Sequence, residues 1–519
     1  MATVSLSSAS GKWIMVSAIM ASAMAFIDAT ALNVVLPSIQ QSLHANATDL
    51  FWILNAYLLM LAALILIGGS LGDKLGRKKI FMTGILIFIG GSAACGISAD
   101  VLQLIIFRVI QGIGGSLMIP GSLSLISSSI HEKERGKAIG TWSAFTTVVT
   151  IGGPVLGGAL ADAGYWRYIF FINVPIGLAA LCFLWWKVKE SSDENLDHNL
   201  DFSGALAIML GLGLFTFGFL RVPALGWQHW QVISALVAGG VLMVVFMLIE
   251  RKSKHPMMPL TLFTNLTFTG ANLLTFFLYA GLGAAMLFMS LNFVQVQGYD
   301  QLQSGLTFLP FTILMVGIAR FAGNLADKYG PRFLLITGPA LAGVGLLILS
   351  FVKQTAGPSA YFTTFFPGVL IFGLGMSLTV APLTAAVMGA VSDQYSGTAS
   401  GVNNALSRIA GVFANAIFGA VAVLFFSGAL KQEIKAVPLS NNAQQEVLAQ
   451  AVELGNAKPP ASLNKEEQQR VTTAYHNSFI SAYGKIMRIS ALLGFLGALM
   501  AFVFIRNVKV KKTQAATAG

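Results

Sequence analysis

Residues 69–78 read GSLGDKLGRK, and residues 323–332 read GNLADKYGPR. Each stretch follows an apolar run, and the aspartates Asp73 and Asp327 hold the same place in the two stretches. A second pair, RGKAIG at 135–140 and SGTASG at 396–401, recurs at a similar offset and in the same order. Two matching offsets predict that the chain is built from two related halves.

The composition sets the class of protein. Of the 519 residues, 55% are hydrophobic and 10% are charged, whereas soluble proteins carry about 25% charged residues. This composition excludes a disordered chain and a single soluble core, and two cysteines exclude a small disulfide scaffold. A polytopic membrane protein remains. We expect the first apolar run, 13–37, to stay as a helix because it is longer than the core of a cleaved signal.

Long apolar runs without alternation predict membrane helices rather than a barrel. We count fourteen of them, at 13–37, 50–72, 80–98, 101–126, 138–161, 168–187, 202–221, 230–250, 267–293, 304–323, 332–352, 362–391, 401–427 and 479–505. The predicted domains are an N-terminal six-helix bundle (1–190), two additional helices with linkers (191–261), a C-terminal six-helix bundle (262–505) and a tail (506–519).

The net charge of +11 gives the orientation. Nineteen lysines and arginines lie in the tails and short loops on the side of the N-terminus, and three lie in the short loops opposite. Because basic residues mark the cytoplasmic side, both termini are expected there. The long external loop 428–478 should hold a short helix, a break at Pro459-Pro460 and a second amphipathic piece. It is either a tolerated surface insertion or a docking site for an outer partner.

Charges inside apolar spans are expensive, so they mark function or structure. Asp28 lies in the first span and Arg108 in the fourth, and the rise per residue places both at one level of the outer half. Gln111 lies one turn from Arg108 on the same face. Our hypothesis is that Asp28 and Arg108 form a coupled proton site. The alternatives are a structural hydrogen bond of Asp28, for example to Thr30, and a salt bridge that only holds helices together.

The fifth span contains Gly153, Pro154, Gly157 and Gly158. Proline removes a helical hydrogen bond, and glycines permit bending and close packing. With WRYIFFINVPIG at 166–177 and the motifs above, this chain resembles the major facilitator superfamily, and within it the fourteen-helix drug:proton antiporters. The resemblance covers nearly the whole chain. It implies an all-α membrane protein with 14 transmembrane helices, in two pseudo-symmetric six-helix bundles plus two inserted helices, that works by alternating access.

The resemblance also implies residue roles. The glycine-rich stretch and its copy would form a conformational latch, although the basic residues could instead serve only to set the topology, and Pro331 stands where the first copy has Arg77. The glycines and proline of span five would form the antiporter hinge, with Val149 at an expected glycine position, unless they form only an ordinary packing face. The latch residues are Gly69, Asp73, Gly76, Arg77 and Asp327, and the hinge residues are Gly153, Pro154, Gly157 and Gly158.

Met, aromatic and amide side chains suit a site that accepts varied shapes, although any one of them could be ordinary packing. The pattern around Asn404 and Arg408, which share a helix face, resembles a branch that works with a periplasmic adaptor and an outer-membrane channel. It favours neutral, amphiphilic or weakly acidic compounds, unless Arg408 only braces its bundle. The predicted cavity residues are Met24, Trp52, Asn55, Gln111, Tyr279, Met286, Asn292, Asn404 and Arg408.

Absent motifs narrow the function. The sequence has no G-x-x-x-x-G-K-[ST] run, so the energy source should be an ion gradient. The six histidines lie in predicted loops or span ends, so no cofactor, metal or haem is expected, and neither enzyme activity nor nucleic-acid binding is predicted. We expect a proton-coupled exporter of drugs or other amphiphilic small molecules, of the multidrug-efflux type, in the bilayer of the inner membrane. Alternatives are an exporter of an endogenous metabolite (lipid, siderophore or amino acid) and a non-transporting receptor of the same fold.

Overall fold

The computed structural model describes residues 4–188, 190, 201–254, 256–391 and 396–506. These residues are almost entirely helical, and the one β-type pairing within them is an isolated bridge between Val4 and Ile130. The all-α fold expected from the sequence is therefore confirmed.

The first part of the chain contains the predicted spans one to six. The sixth is divided at Ile172 into a short helix and a longer one. The helices are α1 (Ala9–Leu43), α2 (Ala47–Leu75), α3 (Arg77–Ile97), α4 (Val101–Ser129), α5 (Glu132–Asp162), α6 (Tyr168–Phe171) and α7 (Asn173–Lys187).

A hairpin of two helices follows, and then the third part of the chain, in which short helices precede two of the spans. The hairpin is α8 (Phe202–Leu225) and α9 (Trp230–Lys252). The remaining helices are α10 (Leu266–Gln295), α11 (Gln301–Leu306), α12 (Leu309–Tyr329), α13 (Arg332–Leu349), α14 (Tyr361–Thr364), α15 (Phe366–Gly389), α16 (Ser396–Glu433), α17 (Asn441–Ala449) and α18 (Lys465–Phe504).

Thirteen helical segments of the described chain are long and apolar enough to cross a bilayer. The predicted fifth span is not one of them, but it is present as the 31-residue α5. All fourteen predicted spans therefore correspond to helices, which confirms a multi-pass membrane protein.

Several helices extend well past their predicted spans. The helices α1, α16 and α18 have 35, 38 and 40 residues, or roughly 50–60 Å at 1.5 Å per residue, against ~30 Å of hydrocarbon. The excess of α16 and α18 lies at the ends of the 428–478 loop. Between them stand α17 and two 3-10 turns, Ile434–Ala436 and Gln450–Asn456, in agreement with the predicted helix, break and second helical piece.

Both described chain ends lie at one face of the molecule, which we call the terminal face. It includes the α2–α3, α4–α5 and α12–α13 turns, and Val4 pairs there with the backbone of Ser129 and His131. We call the other face the distal face, and it includes the 434–464 segment. The helices connect the two faces alternately.

Helix packing groups the two ends of the chain separately and leaves a seam between them. In the first group α1 packs on α5 and α7, and α2 packs on α4; in the second α10 packs on α18, and α13 packs on α15 and α18. Across the seam α2 contacts α16, α5 contacts α11, and α1 contacts α10. The α8–α9 hairpin covers this seam, because α8 packs on both α2 and α16. The domain boundaries drawn from the sequence remain a prediction.

Candidate functional site

Asp28 on α1 and Arg108 on α4 form a buried ion pair. Arg108 Nη1 lies 2.6 Å from Asp28 Oδ2, and the two side chains are only 2% and 1% exposed. The contact confirms that the two charges meet at one level, as the helix-depth argument predicts. A buried ion pair persists only where its geometry is good and its remaining polar atoms are hydrogen-bonded.

Gln111 joins this pair, and we call the three residues the Asp28 cluster. Gln111 Nε2 donates to Asp28 Oδ1 at 2.9 Å, and Arg108 Nη1 donates to Gln111 Oε1 at 2.8 Å. The sequence predicts Gln111 as a cavity residue; the structure shows it fully buried and bonded to both charges. Arg108 is held further by the Ile53 carbonyl, at 3.3 Å from Nε, and by the Tyr57 ring, at 4.4 Å.

A glycine on α4 permits this arrangement. A Cβ on Gly112 would lie 2.6 Å from the carbonyl oxygen of Tyr57 on α2, so a larger residue would push the two helices apart. Gly112 is one turn from Arg108 on the same helix face. The close approach of α2 and α4 therefore brings the guanidinium group against Ile53.

The stretch 69–78 forms the turn between α2 and α3. Gly76 has φ 109°, a conformation that favours glycine. Lys78 Nζ donates to the Val188 carbonyl at 2.7 Å, and the backbone N–H groups of Lys78 and Lys79 donate to the Glu190 carboxylate at 2.9 and 3.0 Å. The carboxylate thus caps the positive N-terminus of α3. These contacts tie α3 to the end of α7, within the first helix group.

The copy at 323–332 repeats this geometry. Gly330 has φ 86° at the α12–α13 turn, and Arg332 Nη2 donates to the Phe502 carbonyl near the end of α18 at 3.0 Å. Lys78 and Arg332 occupy equivalent positions, and each binds a carbonyl at the end of the last helix of its own group. The side chains of Asp73 and Asp327 lie outside those that the structure describes. The latch role of the two motifs stays a prediction.

The glycines of α5 form two contact rows, and the first faces α1. A Cβ on Gly153 would overlap the hydroxyl of Thr30, and a Cβ on Gly157 would lie 2.8 Å from the carbonyl oxygen of Ala31. Thr30 Oγ1 itself donates to the Phe26 carbonyl at 2.7 Å, so it is not a partner of Asp28. The glycines therefore set the distance between α5 and the helix that carries Asp28.

The second row of α5 crosses the seam to α11. A Cβ on Gly158 would overlap the Gln301 carbonyl, and a Cβ on Gly305 would overlap the Pro154 carbonyl. Asp162, at the end of α5, accepts hydrogen bonds at 2.7 Å from the first two backbone N–H groups of α11. Asp162 is absent from the sequence-based site, because a carboxylate at the C-terminal end of one helix gives no sign in the sequence that it caps another helix. The α5 motif thus connects the two helix groups near the distal face.

The remaining cavity residues of the prediction are dispersed. Met24 is fully buried, and its sulfur is 3.3 Å from the Cβ position of Gly177 inside the first group. Asn292 is fully buried and accepts a 3.5 Å hydrogen bond from Gln297. Three residues of the set are half-buried: Trp52, Tyr279 and Met286.

Asn55 lies on the seam between α2 and α16. Its helix neighbours Phe51 and Leu58 share its face and lie against the Cβ positions of Gly419 and Gly411 on α16, at 2.7 and 3.6 Å. Both amide atoms of Asn55 are buried without a hydrogen-bond partner among the described residues. Buried polar atoms without a hydrogen-bond partner are uncommon in proteins. The Asn55 amide is therefore a polar group within an otherwise apolar contact between α2 and α16.

Asn404 and Arg408 lie on α16, as predicted. Asn404 is exposed and donates to the Ser400 carbonyl at 3.1 Å. Arg408 is half-buried, and its Nε is buried without a partner in the part of the chain described. The charge of Arg408 interacts electrostatically with the hydroxyl groups of Tyr57 and Tyr279. This arrangement leaves a cationic group able to receive a polar ligand atom.

A hydrogen-bonded bridge at the distal face is not predicted from the sequence. Gln295 Nε2 on α10 donates to Gln40 Oε1 on α1 at 2.8 Å, and Gln40 Nε2 lies 3.3 Å from both the carbonyl and Oε2 of Glu453. Burial raises the pKa of Glu453, the hydrogen bond from Gln40 opposes this effect, and the charge of Asp49 reinforces it. The only signal in the sequence is that Gln40 and Gln295 are amides near the ends of apolar helices.

The described residues contain no group of three or more His, Cys, Asp or Glu side chains that could hold a metal ion. Cys95 is buried with its sulfur 3.8 Å from Gln111 Oε1, and Cys182 is exposed; both are free thiols. The polar chemistry of the described interior therefore rests on carboxylate, guanidinium, amide and hydroxyl groups.

Comparison with known proteins identifies relatives of this chain. The chain is 33% identical over 443 residues to "Multidrug resistance protein Stp" of Mycobacterium tuberculosis, with 84% of this chain and 80% of that protein covered. It is 28% identical over 488 residues to "Tetracenomycin C resistance and export protein" of Streptomyces glaucescens, with 94% and 90% covered.

The fold has solved counterparts. The structure of a bacterial homolog of the human lysosomal transporter Spinster, inward-facing and unoccupied, matches with a TM-score of 0.66 at 18% identity, over 96% of this chain and 98% of that one. At this identity the match concerns the fold alone. The model of the Major Facilitator Superfamily matches residues 18–415. With the membrane helices and the repeated turn motifs, this match shows that the chain belongs to the Major Facilitator Superfamily, a family of transporters.

Proposed function

We propose that this protein exports drugs or other amphiphilic small molecules across the membrane in exchange for protons. The observation that carries the proposal is the Asp28 cluster, a carboxylate, a guanidinium and an amide in full contact inside the helix bundle. Relatives named for multidrug resistance and for tetracenomycin C export support the substrate class.

The proton-binding step takes place at Asp28. Arg108 and Gln111 occupy both oxygens of its carboxylate. A proton on Asp28 removes the charge that holds Arg108 and turns one acceptor oxygen into a donor. Proton binding and the ion pair therefore compete, so protonation loosens the link between α1 and α4.

Substrate exchange requires the two halves, 1–190 and 262–505, to rock about the seam. The seam carries packed contacts near the distal face, between α5 and α11 and between α1 and α10. Opening to the distal side must break the contacts of Gly158 with Gln301 and of Asp162 with the start of α11. Gly153, Pro154 and Gly157 are the hinge of this motion, and the 69–78 and 323–332 motifs keep the terminal side closed when the distal side is open.

Arg408 is the substrate residue that sets the charge preference. Its buried, unpartnered Nε favours a ligand with a polar or weakly acidic group. Asn404 lies one turn from Arg408 on the same helix face, and Trp52, Tyr279 and Met286 are proposed to supply aromatic and thioether surfaces to the same cavity. The cavity therefore favours neutral or weakly acidic amphiphiles over dications.

The distribution of lysine and arginine supports an inner-membrane orientation with both termini in the cytoplasm and the distal face outside. The 428–478 loop then stands on the outer side as a folded structure. We propose it as the surface that meets a periplasmic adaptor and, through it, an outer-membrane channel.

The test of proton coupling is flux in proteoliposomes. Substrate is added against a proton gradient, and internal pH and substrate are measured together. For Asp28→Asn we expect substrate-dependent proton movement to fall to the level of empty liposomes. Glu446→Gln, which removes an exposed carboxyl group on α17, is the matched control and keeps the wild-type ratio. Proton-driven export at the wild-type rate in Asp28→Asn contradicts the proposal.

A further inference from the structure

The α8–α9 hairpin holds two buried carboxyl groups that the proposed transport cycle does not use. Asp201 is the N-cap of α8 and Glu250 lies in the last turns of α9, and these residues are 9% and 2% exposed. Asp201 Oδ1 accepts from the N–H of Gly204 and the hydroxyl of Ser203, both at 2.7 Å, and Glu250 Oε2 accepts from the N–H of Met258 at 2.9 Å. One oxygen of each carboxyl group is thus occupied.

The second oxygens, Asp201 Oδ2 and Glu250 Oε1, are buried and have no hydrogen-bond partner in the described part of the chain. They converge on one point. A Cβ on Gly204 would lie 3.0 Å from Asp201 Oδ2 and 3.1 Å from Glu250 Oε1. The two unpartnered oxygens therefore lie within about 6 Å of each other around the Cβ position of Gly204, which any larger residue would fill.

No basic side chain that the structure describes is paired with either carboxyl group. Arg251, Lys252 and Lys254 follow Glu250, but all three are exposed. Further ionisable residues belong to the hairpin and to α2 and α16, which pack against α8. They are Arg221 and His229 on the hairpin, Asp49, Asp73 and Lys74 on α2, and Arg408, Lys431 and Glu433 on α16. The side chains of Asp73 and Lys74 lie outside those that the structure describes.

We propose that Asp201 and Glu250 form a proton-binding site that holds one proton between them, separate from the Asp28 cluster. Two buried carboxylates that face each other resist being ionised together. One proton makes one group a donor to the other, and this O–H···O⁻ hydrogen bond satisfies both unpartnered oxygens and leaves a single negative charge. The proton comes from the solution at the terminal face, where α8 begins and α9 ends.

The site links pH to the seam between the two helix groups. Loss of the shared proton puts two like charges across Gly204, where α8 meets α9. Because α8 also packs on α2 and α16, repulsion at the N-terminus of α8 would shift its contacts with both of these helices, which move past each other in transport. This site does not depend on the transport assignment or on Asp28.

The test is infrared spectroscopy of the purified full-length protein during a pH titration. The wild type is expected to show the C=O stretch of a protonated carboxylic acid at neutral pH. Glu250→Gln removes this band, and Asp201→Asn shifts its frequency because the amide replaces the acceptor. Asparagine is an equally good N-cap residue, so Asp201→Asn should fold. Its thermal unfolding temperature, compared with that of the wild type, measures whether it does. Glu446→Gln is the surface control and leaves the band unchanged.

Two outcomes overturn the proposal. The first is a wild-type protein without the band at neutral pH. If its unfolding temperature also rises with Ca²⁺ or Na⁺ while that of Glu250→Gln does not, the site holds a metal cation instead of a proton. The second is a band that survives unchanged in Glu250→Gln. Failure of these tests leaves the proposed transport function intact.

Discussion

Gln40 and Gln295 join the two helix groups through one 2.8 Å hydrogen bond between their side-chain amides, and Glu453 of the distal segment binds the same Gln40. The 434–464 segment is therefore attached to the end of α1 as well as to the helices that precede and follow it. Where the bundle must open toward the distal side, these bonds have to break first.

Gln40→Ala removes both links, so the distal face should open more often. Spin labels at Ser42 and Lys458, which are both exposed, report the separation between α1 and the distal segment. We expect a broader distance distribution with a longer mean than in the parent protein, in which Cys182, the exposed native thiol, is replaced by serine. Gln41→Ala, at the exposed neighbour without a described side-chain bond, should match the parent. Identical distributions for the two variants contradict the bridge.

Removal of Arg108 and neutralisation of Asp28 should each destabilise the protein, because each leaves one buried charge without its partner. Arg108→Met leaves the Asp28 carboxyl group unpaired, and Asp28→Asn leaves a buried guanidinium group that stays charged. A buried pair broken from one side typically loses about 3–5 kcal/mol. Asp28→Asn/Arg108→Met removes both charges and should recover part of the loss. Denaturant unfolding of the three variants measures the coupling. A double variant as unstable as the sum of the single variants shows that the two residues act independently.

Gly158→Ala should impair transport through the seam. The new Cβ overlaps the Gln301 carbonyl, and overpacking of this kind costs about 1–3 kcal/mol. We expect slower efflux and a shift toward the distal-open form. Gly152→Ala is the matched control, because its Cβ meets nothing within 4 Å and Ala is favoured over Gly in a helix by about 0.5–1 kcal/mol. Equal efflux rates in the two variants refute the packing argument.

The distal segment should lose stability as the pH rises. Burial raises the pKa of Glu453 above its value in the unfolded chain. Its contribution to stability is therefore fully present below the unfolded pKa and is lost as the pH rises through the folded pKa. Thermal unfolding as a function of pH should show this loss in the wild type and not in Glu453→Gln. Parallel curves for the two proteins show that Glu453 does not titrate in this way.

The N-terminal segment should respond to pH in the opposite sense. The Glu134 carboxylate accepts the Leu6 N–H at 2.8 Å, and this bond, with one from Ser5, holds the pKa of Glu134 below its usual value. The stabilisation is present above the unfolded pKa and is lost as the pH falls through the folded pKa. Hydrogen exchange at Leu6 should become faster, relative to Glu134→Gln, as the pH is lowered. Equal protection of Leu6 in the two proteins at all pH values excludes the bond.

The sequence predicts features that depend on periodicity and depth. The apolar spans 13–37 and 101–126 place Asp28 and Arg108 at similar depths by helix geometry, and the two residues do meet, although α1 itself continues to Leu43. The repeated turns at Gly76 and Gly330 follow from the offset between the two halves. In both cases the information is local or repeated, so one chain without relatives is enough.

The partners of these residues are less predictable. Lys78 binds at Val188 and Arg332 binds at Phe502, and no local pattern identifies a carbonyl more than a hundred residues away. Glu190 is similar: a carboxylate in a linker becomes the cap of α3 only because α7 ends beside it. The predicted cavity is also only partly assembled, because Met24 faces the interior of its own helix group. When hydrophobic residues surround a helix on all sides, the sequence does not show which face points to the cavity.

The 40-residue α18, with α17 against its outer part, gives the molecule a folded projection on one side of the membrane only. A detergent or lipid belt surrounds the membrane helices of the purified protein, so only features outside the belt can distinguish its two faces in an electron micrograph. Here the projection distinguishes the two faces in every particle image. An antibody fragment raised against residues 441–470 would enlarge this mark while leaving the buried helices free to move.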